Sequence, residues 1–587
     1  MTLRLRELAL ELDEPEELLG RRLEEELGLG QGEASGLRVL RRGIDARGKP
    51  RILRIFTLAF EVQDEEALLS RNQGNPRLGR LRPEDPMPWS SEEREALLGA
   101  PKKEREALPG APKEERAALL GAPREIARPP GALSLGRPHR SVVVGMGPAG
   151  LFAALGLARS GSRVTLVERG RKVEERQRDV ARFWGGGGLD PQSNMQFGEG
   201  GAGAFSDGKL TTRIHHGGVQ RVLGTLVACG APERILTDAK PHLGTDQLGV
   251  ILVGMRRALE SLGVELRYST RLTGFVTEAS AATSHGGGAI RAAVLDDREE
   301  LPCDCLVLAP GHSARDTYSM LHERGVAMAP KAFAMGLRVE HPAALIHRIQ
   351  YGRGPHPLLP APEYALAWTD RETGRATYSF CMCPGGQVVN CASEPGGLVV
   401  NGMSSSRRDG ARSNAALVVT VRQEDLGAID PLAGVRFQRR YEEAAFRAGG
   451  GDYRAPAQNL LAFLGPGRGK SRKPSVVDAT GPLETSCLPG VREADLAEVL
   501  PDFVTQALRR ALPRFDGKLR GFVTGEAVLV GVETRTSAPL RLLRDESGQS
   551  VSHPGLYPAG EGSGYSGGIV SSAVDGLKIA ERVASSP

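Results

Sequence analysis

Long apolar runs are missing from this 587-residue sequence, and no uninterrupted apolar stretch could cross a bilayer. The N-terminal segment MTLRLRELALELDEPEE carries charge throughout and lacks the apolar core of a secretory signal. Cysteine is also scarce: the seven thiols are odd in number and widely spread, which argues against a disulfide framework and indicates a reducing compartment. We therefore expect a cytoplasmic protein without a membrane span.

The chain also has little excess of either charge, since its formal net charge is +5. A bound anion is compatible with this balance, whereas a nucleic-acid surface would normally give a more lopsided one. Glycine, in contrast, is abundant, and its 75 residues favour an enzyme rich in tight turns and close backbone contacts over a helical bundle. At about 150 residues per domain, the length predicts three or four domains.

The N-terminal residues have the pattern of a small independent unit. LRLRELALEL alternates as a strand does, PEELLGRRLEEELGL carries a helical apolar stripe, and GLRVLRRGIDARGKPRILRIFTLAFEV predicts two strands joined by a turn. We predict a ferredoxin-like βαββ module over residues 1–68.

An eleven-residue repeat follows the module, with Gly99, Gly110 and Gly121 at equivalent positions. Such a period is typical of a right-handed coiled coil. Each repeat, however, contains glycine and proline, which interrupt helices. We therefore predict a charged linker of short helical turns over residues 69–136.

The stretch SVVVGMGPAGLFAALGLARSGSRVTLVERG has the order strand, glycine turn, helix, strand and acid that binds a dinucleotide. Gly145, Gly147 and Gly150 follow the Gly-x-Gly-x-x-Gly order, and a helix starting near Pro148 would aim its positive end at the pyrophosphate. Glu168 ends the second strand, where it could accept hydrogen bonds from a ribose.

Two further segments favour FAD over NAD. GLYPAGEGSGYSGGIVSSAVDGLKIAERVA, with Gly560, Glu561 and a helix starting near Gly568, resembles the second FAD signature of two-dinucleotide-domain flavoproteins, although the acid there is usually Asp. CLVLAPGH resembles the strand that closes their FAD domain, with Pro310 in place of threonine.

Six more segments extend the resemblance to a family: SNMQFGEGGAGAFSDGKLTTR, KPHLGTDQL, YSFCMCPGGQVV, NGMSSSRRDG, GVETRTSAPLRL and RRGIDARGKP. Together they resemble the bacterial FAD-dependent dehydrogenases, NAD(P)/FAD-dependent oxidoreductases that are distantly similar to glutathione-reductase-type flavoproteins. The resemblance implies an FAD fold but no particular substrate. The predicted cofactor-binding residues are Gly145, Gly147, Pro148, Ala149, Gly150, Glu168, Arg169, Gly203, Ser206, Asp207, Leu272, Gly311, Gly560, Glu561, Gly567, Gly568 and Ile569.

Three residues in two glycine-rich segments are candidates for catalysis. By analogy with related flavoproteins, GEGGAGAFSDGKLT lies against the pyrophosphate and the flavin ring, where Lys209 could stabilise negative charge or simply face solvent. In PHLGTD, His242 could donate a proton and Asp246 could orient it, although a loop histidine is more often structural.

Arg535, between two threonines, could bind a carboxylate or phosphate of the substrate, or form a structural ion pair. Gly469, Lys470 and Ser471 resemble the end of a P-loop, but the spacing is wrong by one residue, and we predict a basic surface loop.

Four cysteines form two Cys-x-Cys pairs, Cys381 with Cys383 and Cys303 with Cys305. Residues two apart on a strand share a face, which would suit a metal pair or a redox relay to flavin. Because the second pair repeats the spacing inside an apolar strand, we predict buried, inert thiols. No set of four ligands has the spacing of a zinc site, so no metal is predicted.

No second Gly-x-Gly-x-x-Gly unit is present, so a separate NAD(P)H domain is not expected. We predict an α/β fold with a Rossmann-type FAD-binding domain from residues 137–326 and 541–587, and an inserted α+β substrate domain from residues 327–540. The inserted part mixes the strand-like runs AFAMGLRVE, LVVNGM and ALVVTV with a helical stretch at 491–513. The favoured function is hydride transfer between flavin N5 and a small-molecule substrate, with NAD(P)H as a transient donor from solvent. The alternatives are an FAD-containing RNA-modifying protein and an assembly module with structural FAD.

Overall fold

The computed structural model covers five segments of the chain, residues 2–82, 139–278, 287–428, 430–465 and 483–586. Two predicted features lie outside the described residues, namely the repeat with Gly99, Gly110 and Gly121 and the basic loop that contains Gly469, Lys470 and Ser471. Within these five segments, no helix is long and apolar enough to cross a membrane.

The N-terminal residues form an antiparallel sheet with strand order β2-β3-β1-β4. Its elements are β1 (Leu3–Glu11), α1 (Leu19–Leu27), β2 (Ser35–Asp45), β3 (Leu53–Glu61), α2 (Glu65–Arg71) and β4 (Leu78–Arg80). Alternating apolar residues of the strands pack against leucines of both helices, and Leu5, Leu23 and Leu58 are fully buried.

This module extends beyond residue 68, where the sequence prediction ended it. Helix α2 begins after Asp64, whose carboxylate accepts a hydrogen bond of 2.9 Å from the Ala67 amide. Strand β4 then pairs with β1, with Leu3 opposite Arg80. A strand of three residues is too short to show an alternating pattern, which is why the prediction stopped at βαββ.

Strand β2 attaches the module to the rest of the protein. The Arg42 amide donates to the Thr237 carbonyl at 2.7 Å, and the Arg42 carbonyl accepts from the Ala239 amide at 2.6 Å. Lys49 Nζ also donates to the Ile349 carbonyl at 2.7 Å. The exposed edge of the sheet is thereby partly covered.

After residue 139, strands and helices alternate as the dinucleotide motif predicts. The elements are β5 (Arg140–Val144), α3 (Pro148–Arg159), β6 (Arg163–Val167), α4 (Val173–Trp184), α5 (Gly218–Ala228), α6 (Gly244–Ser261), β7 (Glu265–Arg267), β8 (Leu272–Glu278), β9 (Ala289–Leu295), β10 (Glu299–Pro302), β11 (Cys305–Leu308) and α7 (Arg315–Glu323). Strands β5, β6, β7 and β11 pair in parallel. Strands β8 to β10 form a separate antiparallel sheet that packs on the parallel one.

The next part of the chain forms an inserted domain around a seven-stranded sheet. Its elements are β12 (Met328–Pro330), β13 (Phe333–Pro342), α8 (Ala343–Tyr351), β14 (Ala367–Thr369), β15 (Ala376–Cys383), β16 (Gln387–Asn390), β17 (Val400–Met403), β18 (Arg412–Val421), α9 (Ala433–Ala448), β19 (Ala455–Asn459), α10 (Leu460–Leu464), β20 (Val491–Glu493), α11 (Leu496–Val499), α12 (Asp502–Lys518), β21 (Val528–Glu533) and β22 (Leu540–Leu542). The sheet has strand order β14-β15-β18-β13-β21-β19-β20.

Strands β13, β17 and β18 coincide with the strand-like runs that the sequence shows. The predicted helical stretch at 491–513 is interrupted instead: β20, α11 and α12 follow one another there, and α12 starts after Pro501. Proline disfavours a helical conformation in the residue before it, which separates α11 from α12.

The last described segment returns to the parallel sheet. Strand β23 (Leu556–Pro558) pairs with β11, which gives the order β23-β11-β5-β6-β7, and α13 (Ile569–Ser585) packs against α3. The two helices are so close that a Cβ on Gly576 would lie 2.1 Å from the Ala149 carbonyl oxygen. The parallel sheet with its helices confirms the predicted α/β class.

Candidate functional site

The glycine turn after β5 has the geometry that the motif predicts. Gly145 has φ of 97°, and a Cβ there would lie 2.2 Å from the Ala309 carbonyl oxygen. A Cβ on Gly150 would lie 1.8 Å from the Gly145 carbonyl oxygen, so helix and turn pack at backbone contact. Gly147 precedes α3, and Pro148 is its first residue. The helix therefore presents its unpaired amides at the turn.

Two other glycine-rich segments meet this turn, and the three together form what we call the cradle (residues 145–150, 198–205 and 560–569). A Cβ on Gly201 would lie 3.0 Å from Gly147 Cα, and one on Gly203 would lie 3.3 Å from Ile569 Cγ1. A Cβ on Gly560 would lie 2.6 Å from the Cβ of Ala149. Side chains are thus excluded where the three segments converge.

Glu168 lies at the end of β6, as predicted, and is buried. Its Oε2 accepts from the Met146 amide at 2.8 Å, and its Oε1 accepts from the Gly170 and Gly198 amides at 3.0 and 2.8 Å. Two carboxylate oxygens offer about four lone-pair positions, so one remains for a further donor. The contact with a ribose hydroxyl stays a prediction.

Arg176, on α4, is a site residue that the sequence prediction missed. Its guanidinium is completely buried and donates to the carbonyls of Asn194, Met195, Gly198, Glu199 and Gly201 at 2.8–3.2 Å. Burial lowers its pKa to about 10. One side chain thereby fixes the second cradle segment. The signal in the sequence was an arginine on the apolar stripe of a helix, three residues after Val173 and four before Val180.

The C-terminal part of the cradle has its own acidic residues. The Gly560 amide donates to Asp575 Oδ2 at 2.7 Å, and Asp575 is held by Arg544 in a bidentate ion pair. Glu561 occupies the predicted position, and burial raises its pKa to about 7 although the Gly568 amide and Lys331 act in the opposite direction. Gly567 and Gly568 lead into Ile569, where α13 begins, as predicted.

Other predicted cofactor residues have protein partners in the structure. Arg169 makes a bidentate ion pair with Asp316, at 2.9 and 2.7 Å. Leu272 is buried in the core between the parallel sheet and the β8–β10 sheet. Gly311 touches Gly562, and Ser206 Oγ donates to the Gly203 carbonyl at 2.8 Å.

The segment after the cradle ends in a buried charge cluster. Asp207 accepts from Lys209, Arg408 and Ser404, with Arg408 Nε 2.9 Å from Oδ1. Lys209 also donates to the Met382 carbonyl in β15. Burial acts to raise the pKa of Asp207, but Lys209 and Arg408 outweigh it and lower that pKa. Lys209 therefore contacts the inserted domain and is half-buried.

Glu363 completes this charge cluster. Its Oε1 lies 3.0 Å from Arg408 Nη1 and 3.6 Å from Lys209 Nζ. Burial acts to lower the pKa of Lys209, but Asp207, Cys383 and Glu363 outweigh it, so the pKa is raised. The Asp207 and Glu363 carboxylates therefore favour the charged form of Lys209.

The structure does not join His242 and Asp246 directly. His242 Nε2 lies 3.2 Å from the Ser406 carbonyl, whereas Asp246 accepts from the Ser406 amide and hydroxyl at 2.7 and 2.6 Å. The chain turns between them at Gly244, which has φ of 75°. Both residues thus hold the same loop of the inserted domain, and the predicted orienting contact is replaced by contacts with Ser406.

Arg535 forms the structural ion pair that the sequence left as one of two interpretations. Its Nε and Nη2 lie 2.9 and 2.6 Å from the two oxygens of Glu442, and its Nη1 donates to Ser393 at 2.6 Å. Glu442 also binds Arg315 of α7, with contacts of 2.9 and 2.7 Å. Both arginines act against burial and lower the pKa of Glu442. The Arg535 guanidinium is therefore occupied by a protein carboxylate.

The two Cys-x-Cys pairs differ in their surroundings. Burial raises the pKa of Cys303 to about 12 and that of Cys305 to about 11. Cys381 is instead half-buried, and the contact with Cys383 together with Arg338 and Lys209 lowers its pKa. Among the residues that the structure describes, no group of three or more histidines, cysteines or acids could hold a metal ion.

The cradle fits a dinucleotide that spans two helix N-termini. Backbone amides at the starts of α3 and α13 are suited to a pyrophosphate and to a second electron-rich group, and glycine allows the three segments to approach one another closely. These features define a Rossmann-type flavoprotein. Residues 140–203 match the model of an FAD binding domain, and residues 332–536 match the C-terminal domain-like model of FAD-dependent proteins. Residues 2–61 match a domain of unknown function.

An uncharacterized protein of Clostridium beijerinckii is 40% identical to this chain over 585 residues, which cover 99% of this chain and 98% of the relative. The chain belongs to a family of FAD-dependent oxidoreductases, and its cofactor is FAD. This confirms the family and the cofactor that the motifs predicted.

Solved flavoprotein structures are similar over much of the chain. CtdE in complex with FAD is 9% identical and covers 75% of this chain and 82% of its own, with a TM-score of 0.28. A flavocytochrome c3 fumarate reductase is 13% identical and covers 80% of this chain and 79% of its own, with a TM-score of 0.28. None of the comparisons supports the RNA-modifying alternative.

Proposed function

We propose that this protein transfers a hydride between flavin N5 and a small molecule bound where the inserted domain meets the cradle. One observation carries the proposal: Lys209, on the segment that continues from the cradle, donates to the Met382 carbonyl of β15. This contact brings a strand of the inserted domain against the segment that leads from the cofactor cradle. A substrate held by the inserted domain would therefore be adjacent to the cofactor site.

The cradle residues have separate roles in holding the cofactor. The Gly147–Gly150 turn and the start of α3 would bind the pyrophosphate, Glu168 the ribose, and Glu561 with the start of α13 the other end of the molecule. Bound FAD would supply the group that gives and accepts the hydride.

Lys209 acts in this proposal as a fixed hydrogen-bond donor. Its ammonium and the Arg408 guanidinium lie beside the Asp207 and Glu363 carboxylates, so these four side chains carry two charges of each sign. Neither cation among these four side chains is therefore without a carboxylate partner. The exposed Lys240 also approaches Glu363, with its Nζ 3.5 Å from Oε2. What the cluster provides is a rigid polar wall whose donors are already oriented, which is the form of electrostatic help that costs no reorganisation.

His242 is the group that can take up a proton here. Because its Nε2 faces a carbonyl oxygen, which only accepts, the proton of the neutral ring is on Nε2 and Nδ1 is unprotonated. Burial and the nearby Arg408 lower its pKa, so the ring is neutral at pH 7. Nδ1 is then available as a base.

The first experiment is an anaerobic visible spectrum of the purified protein before and after NADPH or NADH is added. Bleaching of the flavin bands would support a reductase that takes its electrons from a pyridine nucleotide docking from solvent. Persistent bands would point to reduction by the substrate itself. Protein that purifies without flavin and cannot be reconstituted with FAD would overturn the proposal, and flavin inert to every donor would favour a structural role.

A further inference from the structure

Cys381 has an unusual backbone conformation at the end of β15. Its φ is 42°, in the left-handed region that non-glycine residues rarely adopt. The pairing of β15 with β18 is irregular at this point, since Phe380 faces Ala416 and Cys383 faces Asn414. The strand therefore bulges at Cys381, and conformations of this kind concentrate where a side chain has a function.

Two cations hold the bulge in place. Arg338, which is completely buried, donates to the Cys381 carbonyl at 2.8 Å and places Nη1 3.8 Å from Cys383 Sγ. Lys209 donates to the carbonyl of Met382, between the two cysteines. Positive charge close to sulfur favours the thiolate form.

The two thiols have different chemistry. Cys383 is buried, its Sγ lies 3.4 Å from the Cys381 carbonyl oxygen, and its side chain is in hydrogen-bond contact with that of Cys381. That contact lowers the pKa of Cys381 and raises the pKa of Cys383. The positive charges of Arg338 and Lys209 beside the pair favour a state with one thiolate and one thiol. Cys303 and Cys305, at the same spacing, are both protonated because burial raises the pKa of each.

The pair lies on the side of the inserted domain that faces the cradle. Cys381 interacts electrostatically with Glu561 of the cradle and raises the pKa of that carboxyl. Lys209 follows the second cradle segment within a few residues of the chain, and it donates to the Met382 carbonyl between the two cysteines. The ionisable groups around Cys381 are Lys209, Arg338, Asp207, Cys383, Glu533 and Glu561.

We propose that Cys381 and Cys383 are a redox-active pair that exchanges two electrons with the bound flavin. This rests on the proposed function, because it requires FAD in the cradle. In the oxidation, the Cys381 thiolate and the Cys383 sulfur form an S–S bond as the S–H bond of Cys383 breaks. Two electrons and that proton pass to oxidised FAD, and the reverse step restores thiolate and thiol. The prediction of inert thiols then holds for Cys303 and Cys305 but not for Cys381 and Cys383.

The first test is alkylation of the native protein by iodoacetamide over a range of pH, with peptide mass spectrometry. Cys381 is expected to react with a midpoint well below that of an ordinary thiol, which is about 8.5. Cys303 and Cys305 serve as internal references and are expected to react only after denaturation. A Cys381 midpoint in the ordinary range, or no reaction in the native state, would overturn the inference.

The second test is an anaerobic reductive titration of the flavin-containing protein after diamide treatment. The wild type is expected to take up two more electrons per flavin than Cys383→Ser or Cys381→Ser, and to show a Cys381–Cys383 disulfide in its peptide map. Cys305→Ser, matched in spacing, is expected to behave as the wild type. Equal electron uptake in wild type and Cys383→Ser would overturn the inference and leave the proposed function intact, whereas protein without flavin would overturn both.

Discussion

Arg535 and Glu442 form a bidentate ion pair, with Nε 2.9 Å from Oε1 and Nη2 2.6 Å from Oε2. Arg315 approaches the same carboxylate from α7, on the far side of the domain boundary. One buried anion therefore joins two cations from different parts of the chain. A carboxylate shared in this way ties the inserted domain to the parallel-sheet domain.

Replacing Glu442 by glutamine should strongly destabilise the protein. The amide is nearly isosteric but removes the charge that two buried guanidinium groups share, and breaking a buried pair costs about 3–5 kcal/mol. Arg315 keeps its contact of 2.6 Å with Glu394, so Arg535 is the group that loses most. The measurement is urea unfolding followed by fluorescence. Glu443→Gln, at an exposed neighbouring position on the same helix, is the control. Equal unfolding midpoints for the two variants would contradict the prediction.

Replacing Gly147 by alanine should remove the flavin and leave the fold intact. Gly147 has φ of −76°, and the nearest heavy atom to a Cβ there is Gly201 Cα at 3.8 Å, so the protein itself has room for the methyl group. The methyl group would instead enter the cradle, and overpacking costs of about 1–3 kcal/mol correspond to a loss of affinity of about 5- to 150-fold.

The ratio of flavin to protein absorbance and the melting temperature measure the two parts of this prediction. Gly217→Ala is the control, because Gly217 has φ of −56° and a Cβ there would meet no heavy atom within 4 Å. Full flavin content in Gly147→Ala would show that the pyrophosphate does not pass this turn.

Arg176→Lys should weaken FAD binding by loosening the segment from Asn194 to Gly201. Lysine cannot reproduce a planar fork that reaches five carbonyls, and each hydrogen bond from a charged donor contributes about 1.5–3 kcal/mol. Flavin affinity from fluorescence titration should fall at least about tenfold. Arg178→Lys, on the exposed face of the same helix, should leave the affinity unchanged, and equal affinities in both variants would refute the role given to Arg176.

His341 should make the protein less stable in mild acid. Its Nε2 donates to the Phe522 carbonyl at 2.7 Å, and burial lowers its pKa from 6.5 to about 4 despite that bond. Its contribution is therefore complete above pH 6.5 and decreases as the pH falls towards 4, because the unfolded state takes up the proton first. Between these limits the free energy of unfolding should fall by about 3 kcal/mol more in the wild type than in His341→Gln. Exposed His322→Gln is the control for pH-dependent unfolding, and parallel curves for all three proteins would contradict the assignment.

The dinucleotide unit could be predicted because its determinants are local. Gly145, Gly147, Gly150 and Glu168 act within one strand–turn–helix–strand unit, so their spacing in the sequence already fixes their geometry. The C-terminal segment was recognisable in the same way, through Gly560 and the helix after it.

The charge clusters could not be predicted because their partners are remote in sequence. Arg408 pairs with Asp207 from 201 residues away, and Arg535 pairs with Glu442 from 93 residues away. No periodicity links such residues, and the sequence does not show whether an arginine is buried or exposed. Sequence patterns could therefore offer two interpretations of Arg535 but could not decide between them.

The parallel sheet is discontinuous in the chain, since β23 pairs with β11 only after the whole inserted domain has intervened. During synthesis the ribosome therefore delivers α3, β5 and β6 long before α13, whose glycine and alanine contacts with α3 close the cradle. Contacts of such long range form slowly, and the apolar surface of α3 stays exposed until α13 packs against it. The complete FAD site therefore forms only after the whole chain has been synthesised. A shortage of FAD would consequently affect chains whose synthesis is already finished.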